Sequence, residues 1–157
     1  MFRYGPELVG GDPFRLGTVL DRGTVLLGRR SWEMFAKIWP GRDDPFSAKM
    51  NAVPKLVASP TLADAGGWEN SALLSGDLVT EVRARRQAQD IVVMGSASVT
   101  RALADADLVD EYRLLMFPLV LGEGTRLFPE GSAPASLELA TAEAAGPLAR
   151  LTFRRRS

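Results

Sequence analysis

Three short apolar runs constrain this chain more than any other feature: "TVLL" (24–27), "KLVAS" (55–59) and "DIVVMG" (90–95). None alternates polar with apolar residues, as a half-wet strand would. Continuous apolar runs of this length read as strands covered on both faces. Such strands belong to parallel sheets, and parallel strands need long crossovers, usually helical. The segments between the runs supply those helices. "SWEMFAKIW" (31–39) repeats Trp32, Phe35, Ile38 and Trp39 at helical spacing and stops at Pro40-Gly41. "DPFSAKMNAV" (44–53) opens on Asp44 as a cap, with proline at the first helical position, and halts at Pro54. "GDLVTEVRARRQAQ" (76–89) is an amphipathic helix with Leu78, Val79 and Val82 inward, and "SASVTRALADA" a further helix.

The flanks follow the same rules. "GDPFRLGTVLDRG" has Asp12 as a cap, Pro13 inside it and Gly23 as a stop, which predicts a helix with Phe14, Leu16, Val19 and Leu20 on its apolar side. "ALLS" reads as a brief strand after the turn "GGWENS". "EYRLLMFPLVLGEG" (111–124) reads as a long strand, with Pro118 at a bulge or unpaired stretch. At the end, "SLELATAE" and "LARLTFRRR" flank "AAGP". Ala149, Leu151 and Phe153 alternate there with Arg150, Thr152 and Arg154, the pattern of an antiparallel hairpin with one wet face. The expected fold class is therefore α/β, a mixed, mostly parallel central sheet flanked by helices, with a C-terminal antiparallel hairpin.

In open α/β sheets, ligands sit beyond the carboxyl ends of the strands. Three turns follow the three runs and should share that rim. They are Gly28-Arg29-Arg30-Ser31, Ser59-Pro60-Thr61 and Gly95-Ser96-Ala97-Ser98. Two of them lead directly into helices, whose first N–H groups and positive dipole ends bind phosphate. Arg29 and Arg30 stand at the end of a helix where cations are disfavoured, which makes sense if an anion is bound there. Each turn taken alone has an ordinary reading as a cap, a loop or a solvated pair. Taken together on one rim they form a candidate anion site. No G-x-G-x-x-G follows a strand, and "LGEGTRLF" (121–128) is read as a turn.

Composition narrows the chemistry. The 157 residues suit one domain. Lys plus Arg and Asp plus Glu both number 19, so no global field draws in nucleic acid or an anionic membrane. Cysteine and histidine are both absent, which removes disulfides, thiolate nucleophiles, Ser-His catalysis and the common zinc sites. The acids Asp105, Asp107, Asp110 and Glu111 lack calcium-loop spacing and read as solvated. Hydride transfer from a bound cofactor survives these filters, and so does a non-catalytic binding module. No apolar run reaches membrane-spanning length and no secretory signal opens the chain, so a cytoplasmic location is expected.

The segments "LLGRRSWEMFAKIWP", "DPFSAKMNAVPKLVASPTL" and "IVVMGSASVTRALADADLVDEYRLLMFPLVLGEGTRLF" resemble the dihydrofolate reductase-like family, in the branch that includes the reductase domain of bacterial riboflavin biosynthesis. The resemblance runs from about residue 24 to 128. It implies one such domain over residues 1–157 and NADPH along the strand ends, with a small heterocyclic substrate such as a pterin or ribosylaminopyrimidine. It carries cofactor phosphate to Gly28, Arg29, Arg30 and Ser31, the adenosine end and its 2′-phosphate to Ser59 and Thr61, and the pyrophosphate to Gly95, Ser96, Ala97 and Ser98. The paired arginines suit a dianionic phosphate, which guanidinium meets as a fork. Family members open with a central strand and an Asp-Gly loop, and residues 1–23 contain no apolar strand. The chain is thus expected to be short at its N-terminus, and no catalytic residue is carried over. A non-catalytic nucleotide-binding module of the same fold is the alternative. A homodimer, in which a second copy covers exposed sheet, is a further reading.

Overall fold

The computed structural model describes residues 11–156. Two compact units are present, one formed by Gly17–Leu108 and the other by the described residues before and after it. Of residues 1–23, expected to contain no apolar strand, residues 1–10 lie outside the described residues.

The Gly17–Leu108 unit is built on a parallel sheet. Its strands are β1 (Thr24–Gly28), β2 (Lys55–Ala58), β3 (Ser71–Leu73) and β4 (Ile91–Val93), in the order β3-β2-β1-β4. Its helices are α1 (Gly17–Leu20), α2 (Arg29–Ile38), α3 (Pro45–Ala52), α4 (Leu78–Arg85) and α5 (Ala97–Asp105). β1 is central and wholly buried, which is what the unbroken "TVLL" run demands. Val25, Leu26 and Leu27 of β1 pack in a core with Val57, Met50, Leu103 and Trp68. Each such side chain contributes roughly 1.5–3 kcal/mol by leaving water.

Capping divides the helices into two kinds. Asp44 accepts hydrogen bonds from the N–H groups of Phe46 and Ser47 at the start of α3, and from the Ser47 hydroxyl. Asp77 accepts from the N–H and hydroxyl of Thr80 at the start of α4. The Ser47 hydroxyl holds the Asp44 carboxyl below its ordinary range, and the Thr80 N–H does the same for Asp77. By contrast, α2 and α5 begin at Gly28 and Ser96 with no side-chain cap. These two helices follow the adjacent strands β1 and β4.

The other unit contains an antiparallel sheet of β5 (Glu111–Met116), β6 (Leu137–Ala145) and β7 (Leu148–Arg155), in the order β5-β7-β6. The hairpin expected at the chain's end is β6–β7, turning at Gly146, whose φ of +61° suits glycine. Glu111 lies between Arg113 and Arg154, at 2.6 and 3.0 Å. Partial burial pushes its carboxyl up, but those two bonds outweigh burial and hold it below the ordinary range. Arg150 donates to Glu143 at 2.9 Å and to the Pro13 carbonyl at 2.8 Å.

Several boundaries differ from the sequence reading. The expected helix from Asp12 shrinks to Gly17–Leu20. Asp12 does accept from the Leu16 N–H, but Arg15 has φ +53°, outside helical backbone. α4 is shorter than 76–89, ending at Arg85, with Arg86 as its cap residue. The strand expected over 111–124 ends at Met116, where pairing with β7 ends at Ala149, one residue from the β6–β7 turn. Val120 and Leu121 beyond it are exposed. β4 reads in the sequence as a strand covered on both faces, yet its residues are half-buried, since among the described residues it pairs only with β1. No helix among the described residues is long and apolar enough to cross a membrane.

Candidate functional site

Parallel pairing in the order β2-β1-β4 places the three turns side by side at the carboxyl ends of these strands. The two outer turns each touch the central one. The Gly28 N–H donates to the Gly95 carbonyl at 2.9 Å, joining the turn after β1 to the turn after β4. A Cβ on Gly28 would lie 2.5 Å from Ser96 Oγ and 3.1 Å from the Ser96 nitrogen. A Cβ on Gly95 would lie 2.5 Å from Ser31 Oγ, and Gly95 has φ +96°. Glycine at both positions is therefore what lets the starts of α2 and α5 come together. The Gly95–Ser96 peptide is cis.

The turn after β2 is joined through Arg29. Its Nη1 donates to Thr61 Oγ1 at 2.9 Å, and its Nε donates to Glu33 Oε1 at 2.7 Å. Ser59 shapes that turn, its Oγ accepting from the N–H groups of Thr61 and Leu62 at 3.2 and 3.0 Å. Ser96 and Ser98 hydrogen-bond each other at 2.8 Å rather than capping α5. Arg30 is exposed and makes no hydrogen bond or ion pair within the described residues. The Ser31 hydroxyl lies over Gly95 and has no hydrogen-bond partner within them either. Ala97, with no polar side chain, is the first residue of α5.

All ten sequence-predicted positions thus fall at the carboxyl ends of three adjacent strands, with Arg29, Arg30 and Ser31 opening α2 and Ala97 and Ser98 opening α5. Two uncapped helix starts, the Arg29 guanidinium and five hydroxyls lie there with the exposed Arg30 beside them, groups of the kind that bind phosphate oxygens. The space left by the two glycines is taken by Ser96 and Ser31, which packs the two helix starts against each other. The residues present suit a phosphorylated ligand in kind. No group of acids that could hold a metal ion occurs among the described residues.

Sequence reasoning missed two features. The first is Glu33. It pairs with Arg29 and also lines an open groove of about 490 Å³ with Trp32, Ala36, Lys37 and Gly67. The spacing of Arg29 and Glu33, four apart on a helix, was the available signal. The second is Lys55, the first residue of β2, which is fully buried. Its ammonium donates to the carbonyls of Asn51, Val53 and Glu69 at 2.8, 2.8 and 3.0 Å, and lies 4.4 Å from the centre of the Trp68 ring. Burial pulls its pKa down to about 8, against an opposing pull from Glu69. Lys55 begins β2, at the end of the strand away from the three turns, so it ties α3 to the start of β3 rather than serving the rim.

Comparison with known proteins finds matches across most of the chain. A family model described as "RibD C-terminal domain" matches residues 19–149. YyaP of Bacillus subtilis (strain 168) is 33% identical over 113 residues, covering 67% of this chain. The chain spans 58% of that curated relative's length. Among solved structures, a protein named for riboflavin biosynthesis from Shewanella sp. PV-4 superposes with a TM-score of 0.74 at 21% identity, covering 94% of this chain and 82% of that one. A diaminohydroxyphosphoribosylaminopyrimidine deaminase/5-amino-6-(5-phosphoribosylamino)uracil reductase from Thermotoga maritima gives 0.58 at 14%, covering 89% and 47%. At these identities the structural matches establish a common fold.

Proposed function

The chain belongs to the RibD C-terminal domain family, and from that premise we propose that it is an NADPH-dependent reductase of a small heterocycle of the pterin or ribosylaminopyrimidine type. The observation that carries the reading is the joined rim: two uncapped helix starts held together through Gly28 and Gly95, with Arg29 reaching across to Thr61. The family match runs through both compact units, and the proposal takes residues 1–157 as one domain.

NADPH, when bound, would supply the hydride. The chain's own part is binding and orientation. The N–H groups at the starts of α2 and α5 would hold the pyrophosphate, with the Ser31, Ser96 and Ser98 hydroxyls donating to its oxygens. Arg29, Arg30, Ser59 and Thr61 would hold the adenosine end and its 2′-phosphate, the guanidinium groups favouring the phosphorylated cofactor. Without histidine or cysteine, none of this work requires a side chain that titrates near neutrality.

The alternative is a nucleotide-binding module of the same fold without catalysis. NADPH oxidation assayed with a pterin and with a ribosylaminopyrimidine separates the two. Turnover with either supports the reductase; cofactor binding without turnover on both supports the module.

A further inference from the structure

The Arg29 guanidinium, which the proposed function gives to the cofactor's 2′-phosphate, already has a carboxylate on it. Glu33 Oε1 sits 2.7 Å from Arg29 Nε, while Thr61 Oγ1 sits 2.9 Å from Nη1. Both members of the pair are partly exposed, with 46% of the Arg29 side chain and 38% of the Glu33 side chain open to solvent. An arriving ligand can therefore reach either one. Glu33 stands one helical turn from the start of α2 and borders the groove beside Trp32 and Gly67. Any group seated on Arg29 and Thr61 meets its carboxylate.

From this geometry we infer that Glu33 is a specificity-determining residue, which sets the balance between phosphorylated and unphosphorylated dinucleotides. The inference rests on the cofactor reading above. A dianionic 2′-phosphate on Arg29 competes with Glu33 for the guanidinium and lies beside its negative charge. Both effects oppose NADPH. A ribose hydroxyl makes no such conflict, because it can donate to the same carboxylate, the way an acidic residue reads an unphosphorylated ribose in dinucleotide-binding folds. Arg29 and Glu33 thus pull in opposite directions from one spot. An exposed pair costs little to separate, so Glu33 tunes the preference without blocking the site.

The test is calorimetric titration of NADPH and NADH into wild type, Glu33→Gln, Arg29→Ala and the double variant. Gln keeps the shape and removes the charge. Glu33→Gln should bind NADPH about five- to tenfold more tightly, the scale of one exposed charge interaction acting on a dianion. NADH should bind the same or more weakly. In the Arg29→Ala background the NADPH gain should shrink, because the guanidinium that Glu33 occupies is gone. Unchanged or weakened NADPH binding in Glu33→Gln would overturn the inference, and would instead make Glu33 a support that orients Arg29. Wild type that binds neither cofactor near millimolar concentration would overturn the cofactor reading itself, and the inference with it.

Discussion

Adding a single methyl group at Gly28 should separate the two turns on which the candidate site depends. The Gly28 backbone has φ −77°, which alanine adopts freely, so the substitution introduces no dihedral strain of its own. The cost comes from contact. The new Cβ would sit 3.1 Å from both the Cβ and the backbone nitrogen of Ser96, and 2.5 Å from its Oγ. The hydroxyl can rotate away, but the nitrogen moves only if the start of α5 moves. Overpacking of this kind costs about 1–3 kcal/mol. Moving α5 also stretches the Gly28 to Gly95 hydrogen bond, worth about 1 kcal/mol. Restricting the unfolded chain returns about 0.4–1 kcal/mol. The net expectation for Gly28→Ala is a loss of about 1–3 kcal/mol. Gly41→Ala is the control: nothing lies within 4 Å of its Cβ position and its φ is not left-handed, so it should be neutral or slightly stabilising. Urea unfolding followed by tryptophan fluorescence suits the measurement, since Trp32, Trp39 and Trp68 are all in the Gly17–Leu108 unit that carries the rim. A Gly28→Ala midpoint equal to that of Gly41→Ala would refute the close approach of the two turns.

Two further outcomes follow from charges away from the rim. Because the native Lys55 pKa of about 8 lies below its ordinary 10.5, the folded protein gives up this proton first as pH rises. The stability of wild type relative to Lys55→Met should therefore climb between those two values, by at most about 3 kcal/mol, and a flat difference would contradict the burial argument. Asp77→Ala should lower the urea midpoint without changing cofactor affinity. Its gap from wild type should close as pH falls through the depressed native pKa of Asp77, and a gap that persists in acid would remove the capping role.

Much of the architecture was readable because it rests on local rules. The unbroken apolar runs at 24–27 and 55–59 marked strands covered on both faces, and Asp44 stands where a short acidic side chain caps a helix. The rim followed from topology, since parallel strands put their carboxyl ends on one side. What could not be read was set by partners distant in sequence. Strand β5 stops at Met116, where its pairing with β7 ends at Ala149, one residue from the start of β7, and no pattern within 111–124 encodes that. Lys55 looked like the polar start of a strand, while its burial depends on carbonyls of Asn51 and Glu69 and on the Trp68 ring. Arg29 and Arg30 were alike in sequence. The i,i+4 spacing pairs Arg29 with Glu33, and only the fold adds Thr61 to Arg29 and leaves Arg30 with no such bond among the described residues.

The central claim is that three turns make one site for a dinucleotide carrying a 2′-phosphate. Calorimetric titration of wild type and of Arg29→Ala with NADPH and NADH tests it most directly. The account predicts that wild type binds NADPH, and that Arg29→Ala weakens NADPH more than NADH. No heat from NADPH at near-millimolar concentration, or an equal loss for both cofactors in Arg29→Ala, would contradict it.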